Sequence, residues 1–204
     1  MSSVAEKVKE LRSKTGAGIM HCKKALQESS NDLDQAVLWL RKNNLNQALK
    51  KSGRKAKEGV VASYIHGAGR IGVLLEVNSE TDFVARNTDF QDFVRDLRLH
   101  IAAMSPSYIK EEDVPAELVE KEKNLFSEQA EKKSKDPKVK ERISAGLYKK
   151  WLETVCLLNQ EFVRQNQEGP KETVGVALSQ LSAKVGENIV IRRFVRFALG
   201  EESS

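Results

Sequence analysis

An acid and an aromatic stand side by side at Asp82-Phe83, inside the run Glu76-Val77-Asn78-Ser79-Glu80-Thr81-Asp82-Phe83-Val84-Ala85-Arg86-Asn87. The hydrophobic segment Ile71 to Val77 leads into this polar corner, and a helix start follows at Thr88. On a strand-to-helix corner, a phenyl ring is placed to enter a packed site on another protein, and the adjacent carboxylate to accept hydrogen bonds there. The plain alternatives are a helix N-cap for Asp82 and a core aromatic for Phe83. Catalytic constellations are otherwise thin. His21, His66 and His100 are scattered, and none stands in a metal-ligand spacing such as H-E-x-x-H. Cys22 falls on the apolar face of a short helix, where a thiol serves as a small core residue. There is no G-x-S-x-G elbow. Thr15-Gly16-Ala17-Gly18 with Lys23 lacks the phosphate-loop spacing and no strand precedes it, while Gly67-Ala68-Gly69 joins two strands and reads as a turn. These patterns predict a binding protein that is not an enzyme, holds no cofactor or metal, and binds no nucleotide itself.

The elements that must position this corner follow from periodicity. The first ~50 residues read as three short helices. Ser3 and Glu6 form a capping box, and Val4, Val8 and Leu11 share one face. Thr15-Gly16-Ala17-Gly18 breaks the first helix. Ile19, Cys22, Ala25 and Leu26 stripe the second helix, and Leu33, Ala36, Val37 and Leu40 the third, capped by Asn31 or Asp32. Ser52-Gly53-Arg54-Lys55 reads as a flexible charged linker. From Gly59 the period becomes strand-like: Val60 to Ile65, a turn at Gly67-Ala68-Gly69-Arg70, then alternating Ile71, Val73, Leu75 and Val77 form a β-hairpin. Thr88-Asp89-Phe90-Gln91 is a second capping-box pattern, opening a helix whose face is Phe90, Phe93, Val94, Leu97, Ile101 and Met104.

After Ser105-Pro106 the stretch from Pro115 to Gln165 is charge-rich and helical, broken at Lys135-Asp136-Pro137. Its return arm carries a near-heptad stripe of Val139, Ile143, Leu147, Trp151, Val155, Leu158 and Phe162, which predicts a helical hairpin closed by Gly169-Pro170. Thr173 caps a last core helix with Val174, Ala177, Leu178, Leu181 and Val185 inward, stopped by Gly186, and Ile189 to Phe197 is a third strand. The predicted fold class is α+β. An N-terminal three-helix module (1–52) and a linker (53–58) precede a small antiparallel sheet packed with helices (59–112 and 169–200). The helical hairpin (113–168) is inserted into that core, and 201–204 is a tail.

Composition agrees with a globular chain: 204 residues, 40% hydrophobic and 31% charged, with no apolar run near the ~18 residues that cross a bilayer. Nothing after Met1 reads as a signal or transit peptide, and two cysteines are too few for a disulfide framework, so the expected address is the cytoplasm. The net charge of +5 admits nucleic acid as a partner. Much of the excess lies in Arg41, Lys42, Lys50, Lys51, Arg54, Lys55 and Lys57, a run without an acid that reads as a solvated helix end and linker.

Three stretches carry a family resemblance: Glu76 to Asn87, Leu11-Arg12-Ser13-Lys14-Thr15-Gly16-Ala17-Gly18-Ile19-Met20-His21-Cys22-Lys23-Lys24-Ala25-Leu26, and Gly186-Glu187-Asn188-Ile189-Val190-Ile191-Arg192-Arg193-Phe194. In this order they resemble translation elongation factor Ts, the nucleotide-exchange factor for elongation factor Tu, over most of the chain. The resemblance implies a ubiquitin-associated-like fold for the N-terminal module. It also implies that Asp82 and Phe83, with Thr81 and Val84 beside them, intrude near the Mg²⁺ and phosphate region of the partner's G domain. Leu11, Ile19, Met20 and Lys23 would dock on a G-domain helix, and the sheet would hold another domain of elongation factor Tu. Family members often carry an acid where this chain has His21, which is expected to tune affinity. The chain is similar to the short form of the family, with one copy of the core and an end at Ser204 without the C-terminal helix of long forms. That form implies a homodimer paired sheet edge to sheet edge. Cys156 lies in the helical insert, so a cross-link through the final strand is not supported.

Two other classes compete. Arg41 to Lys57 with Arg192, Arg193 and Arg196 would suit a basic RNA-binding or ribosome-associated protein, but the exposed aromatic platform of single-strand RNA recognition is missing, so nucleic acid is not the expected partner. A ubiquitin-like-binding scaffold would rest on the three-helix module alone, whereas exchange requires Asp82-Phe83 on the core as well.

Overall fold

The computed structural model describes residues 3–164 and 171–201. The N-terminal helices are α1 (Val4–Thr15), α2 (Ile19–Glu28) and α3 (Leu33–Lys51). Ser3 and Glu6 make the predicted capping box, and Gly16, at φ 65°, ends α1 in the left-handed conformation, with its N–H on the Arg12 carbonyl. Asp32 rather than Asn31 caps α3. Leu11, Cys22, Ala25, Leu26, Ala36 and Leu40 form a small closed core, and the Ile19 side chain points outward from it. α3 runs well past the predicted stripe to Lys51 and packs against a C-terminal helix. The segment after it is tied rather than loose: Asn188 Nδ2 donates to the carbonyls of Arg54 (2.9 Å) and Ser52 (3.4 Å), and Lys51 Nζ donates to the Ser182 carbonyl (3.1 Å).

The sheet has the order β1-β2-β3, all antiparallel, from β1 (Glu58–His66), β2 (Ile71–Ser79) and β3 (Val190–Ala198). β1 thus starts one residue ahead of the predicted Gly59, and β3 one residue after Ile189. At Gly59 the backbone takes φ 135°, and a Cβ there would lie 2.2 Å from the Val77 carbonyl oxygen, so glycine is required by close approach of the strands. Val73, Leu75 and Val77 of β2 face inward, against α4 (Asp82–Ala85) and α5 (Thr88–Met104), and α8 (Val174–Val185) packs on α5 within the same core. Phe90, Phe93, Val94, Leu97 and Ile101 of α5 supply most of the other side of this core, while Met104 stays exposed. The expected Thr88 cap moves back one residue: Asn87 Oδ1 accepts from the Asp89 N–H (2.8 Å), and Gln91, freed from a capping role, donates to the Ala85 carbonyl.

The insertion is α6 (Ala116–Lys133) and α7 (Pro137–Val155), reversed at Ser134–Asp136 with Asp136 as N-cap and Pro137 in the first helical position. Its base closes over Val114, Leu152 and Cys156, where Tyr108 and Cys156 bridge. The near-heptad reading overran here. α7 stops at Val155 because the Leu157 and Leu158 N–H groups leave the helix to donate to the Tyr108 and Ile109 carbonyls, and the buried Phe162 enters the main core beside Phe93. Non-local pairing therefore overrides a local period that has no breaker. Gly169-Pro170 lies outside the described residues. Thr173 caps α8, and Gly186, at φ 81°, ends it as predicted. No helix among the described residues is long and apolar enough to cross a membrane.

Candidate partner-docking site

The corner after β2 is held by side-chain oxygens. The buried Ser79 hydroxyl donates to the Thr81 carbonyl (2.8 Å), and Thr81 caps α4 by accepting from the Val84 N–H (3.4 Å). Asp82 is therefore the first residue of a single helical turn and not its cap. The turn is anchored from the α8–β3 connection. Glu187 Oε2 accepts from the Glu80 N–H (3.0 Å) and the Thr81 N–H (3.1 Å), and Oε1 accepts from the Thr81 hydroxyl (2.6 Å). In return, Glu80 Oε1 accepts from the Asn188 N–H (2.6 Å), and Arg54 approaches the same oxygen at 3.5 Å.

This scaffold leaves Phe83 80% exposed, while Val84 packs on the main core and Ala85 is buried beneath it. An aromatic with so much surface in water contributes little to the fold and is available to a partner. The Asp82 carboxylate pairs with Arg86 at 3.0 Å across one turn, with the Arg86 side chain largely solvated and that of Asp82 about half exposed. Such a pair is worth only about 0.3–0.5 kcal/mol, so Asp82 is free to exchange Arg86 for another donor.

The other predicted contact residues divide. Met20 is 74% exposed and Ile19 55%, and Lys23 lies on the same exposed side of α2. Leu11 is fully buried in the N-terminal core, so it supports this surface from behind and does not present a contact of its own. His21 lies at the rim of a cleft of about 450 Å³ between the α1–α2 connection and α5 and α8. Lys184 and Asp89 pair across one wall of it at 2.7 Å. Among the described residues no group of three or more His, Cys, Asp or Glu side chains is arranged to hold a metal.

The basic run is partly consumed by the fold. Lys51 and Arg54 are engaged at the module boundary, and burial, followed by the neighbouring Arg54 charge, lowers the Lys51 pKa. Arg193 pairs with Glu76 at 2.6 Å, and the mostly buried Arg196 pairs with Glu201 at 2.6 Å and donates to the Ala102 carbonyl. The Glu76 carboxyl is held below its ordinary range by Arg193. Sequence reasoning gave Glu187 no role. Its signal was present as a carboxylate directly after the helix-ending Gly186, but its partners lie more than a hundred residues away.

On the other face of the sheet, Val61, Ile65, Leu74, Val195 and Phe197 are exposed, around the Glu76–Arg193 pair.

A family model described as Elongation factor TS matches residues 3–169. Similar proteins named Elongation factor Ts include those of Geobacter sulfurreducens, 51% identical over 201 residues, and Alkaliphilus oremlandii, 53% identical over 201 residues. Each of these alignments covers 98% of this chain and 91% of the relative. The protein of that name from Acetivibrio thermocellus is 52% identical over 197 residues, covering 97% of this chain and 90% of its own.

Proposed function

This chain belongs to the elongation factor Ts family, which supports a role as nucleotide-exchange factor for elongation factor Tu in translation elongation, and from that premise we propose that it releases GDP by driving the Asp82-Phe83 corner into its partner. The observation that carries the reading is a nearly naked phenyl ring on a corner anchored by five hydrogen bonds. An exchange factor works by preferring the nucleotide-free partner, and linkage makes the nucleotide weaken the factor by the same ratio. Loosening GDP ten-thousandfold requires about 5.5 kcal/mol of differential contact. Burying the 80% of Phe83 that is exposed, on a side chain of ~200 Å², is worth up to ~4 kcal/mol. The remainder falls to Asp82, with Thr81 and Val84 shaping the turn, accepting hydrogen bonds from backbone that the ring displaces. Magnesium in the partner demands near-ideal octahedral geometry, so displaced segments spoil that site first. The chain supplies contact and no bond chemistry, in keeping with an exchange factor that is not a catalyst in the usual sense.

Ile19, Met20 and Lys23 on α2 form the second contact, docking on a helix of the partner's G domain with Leu11 packed beneath. Two copies of the chain pair in solution. The exposed apolar side chains Val61 and Ile65 on β1 and Val195 and Phe197 on β3 stand on the two edge strands of the sheet, which favours pairing sheet edge to sheet edge. The working compartment is the cytoplasm. The RNA-binding reading loses the cations already engaged within the fold.

The test is release of fluorescent GDP from elongation factor Tu with and without the chain. Strong acceleration is expected. Absence of acceleration together with salt-sensitive retention on RNA would replace the proposal with the RNA reading.

A further inference from the structure

Phe83 makes so few contacts of its own that its direction is set by the backbone of α4. A single helical turn does not hold itself, because fixing its first residues costs more than its hydrogen bonds return. The restraint must come from outside, and the Glu187 carboxylate supplies it by taking two consecutive N–H groups and the capping hydroxyl of Thr81. Glu187 is itself fixed from behind, since Ser182 Oγ donates to its carbonyl at 2.5 Å. The next residue performs the same service for the N-terminal module. Asn188 gives its N–H to Glu80 and its side-chain amide to the Ser52 and Arg54 carbonyls, just past the end of α3. Lys51, the last residue of α3, reaches the Ser182 carbonyl.

Resting on the wedge reading above, we infer that Glu187 and Asn188 form a common mount for the exchange surfaces: Glu187 is a positioning residue that aims Phe83, and Asn188 locks the N-terminal module to the same corner. Neither touches the partner. Both act by keeping the two contact surfaces at one fixed spacing, so that binding through α2 delivers the ring to its target. Misplacing a reacting or wedging group by about 1 Å costs on the order of a hundredfold in rate. Replacing Glu187 by Gln retains an acceptor oxygen for the two N–H groups and an amide that can donate to the Thr81 hydroxyl, whereas Ala removes all three bonds.

The experiment measures GDP release from elongation factor Tu at saturating chain for native protein, Glu187→Ala, Glu187→Gln, Phe83→Ala and the Glu187→Ala/Phe83→Ala double variant, with circular dichroism to establish that each is folded. The inference predicts that Glu187→Ala lowers the maximal release rate by roughly tenfold to a hundredfold with little change in the half-saturating concentration. It further predicts that Glu187→Gln recovers most of the rate, and that Glu187→Ala causes no further loss once Phe83 is gone. Full-rate release by Glu187→Ala beside an impaired Phe83→Ala overturns the positioning role while leaving the wedge intact. A full additional loss in the double variant overturns it as well, because Glu187 would then act elsewhere. Unimpaired release by Phe83→Ala alone sinks the wedge reading and this inference with it.

Discussion

Phe162→Ala is the substitution that most sharply tests how the helical insertion is anchored. The side chain is 2% exposed, with its ring 5.6 Å from those of Phe93 and His100 and the Arg164 guanidinium 4.9 Å from its centroid. Truncating a buried phenylalanine costs about 3–5 kcal/mol in lost transfer energy and residual cavity. In a chain of this size each kcal/mol lowers Tm by about 2–4 °C, so the expected loss is roughly 6–20 °C. Phe83→Ala serves as the control, since the same truncation at an 80% exposed position should stay within about 0.5 kcal/mol. Thermal unfolding followed by circular dichroism at constant pH reads both. At a temperature where Phe162→Ala is still folded, GDP release should remain at the native rate, the mirror image of the Phe83→Ala result. A Phe162→Ala protein that melts within about 2 °C of native would refute the placement of this residue in the main core.

His100 should give stability a pH dependence. The Val163 N–H donates to its Nδ1 (3.1 Å), so the proton sits on Nε2 facing Gln160 Oε1 (2.9 Å), and burial lowers its pKa from 6.5 against a smaller opposing effect of Gln160. The unfolded chain therefore takes the proton first. The contribution is whole above pH 6.5 and falls as pH drops from there toward the folded pKa, and urea unfolding of native and His100→Gln protein between pH 7 and 5 should show that slope only in the native chain. Gly59→Ala would set a Cβ 2.2 Å from the Val77 carbonyl oxygen, so the β1–β2 ladder must shift, at a cost of at least ~2 kcal/mol readable as a lower urea midpoint. Cys22 and Cys156 are fully buried, and the Cys156 thiol is pushed up to about 11 by burial and then by Glu111, Asp113 and Glu112. Neither should react with a thiol reagent at pH 8 until the protein is unfolded, when both should.

Elements with strong local signals were legible without the structure. The capping box at Ser3, the Gly16 and Gly186 stops, the hairpin around Gly67-Ala68-Gly69 and the Thr173 cap all follow from chemistry within a few residues. The misses arise where distant partners decide. Phe162 continues the α7 stripe in register, yet the chain leaves the helix at Cys156 to pair with Tyr108. The basic end of α3 reads as solvated, yet α3 packs on α8 and Lys51 at its end donates to the Ser182 carbonyl. At the α5 start, Asn87 and Thr88 are both competent caps, and a Thr-x-x-Gln pattern pointed to the wrong one. For the site itself, adjacency of Asp82 and Phe83 is visible in the sequence. What holds them is not, because Glu187 and Thr81 are 106 residues apart and meet only once β3 lies beside β2.

The most direct test of the central claim is the release rate of fluorescent GDP from elongation factor Tu, compared between the native chain and Asp82→Ala/Phe83→Ala at equal, saturating concentration. The wedge account predicts strong acceleration by the native chain, most of it lost in a double variant that still melts like native. Acceleration that survives both substitutions would contradict the wedge and move the driving contact to the α2 surface of Ile19, Met20 and Lys23.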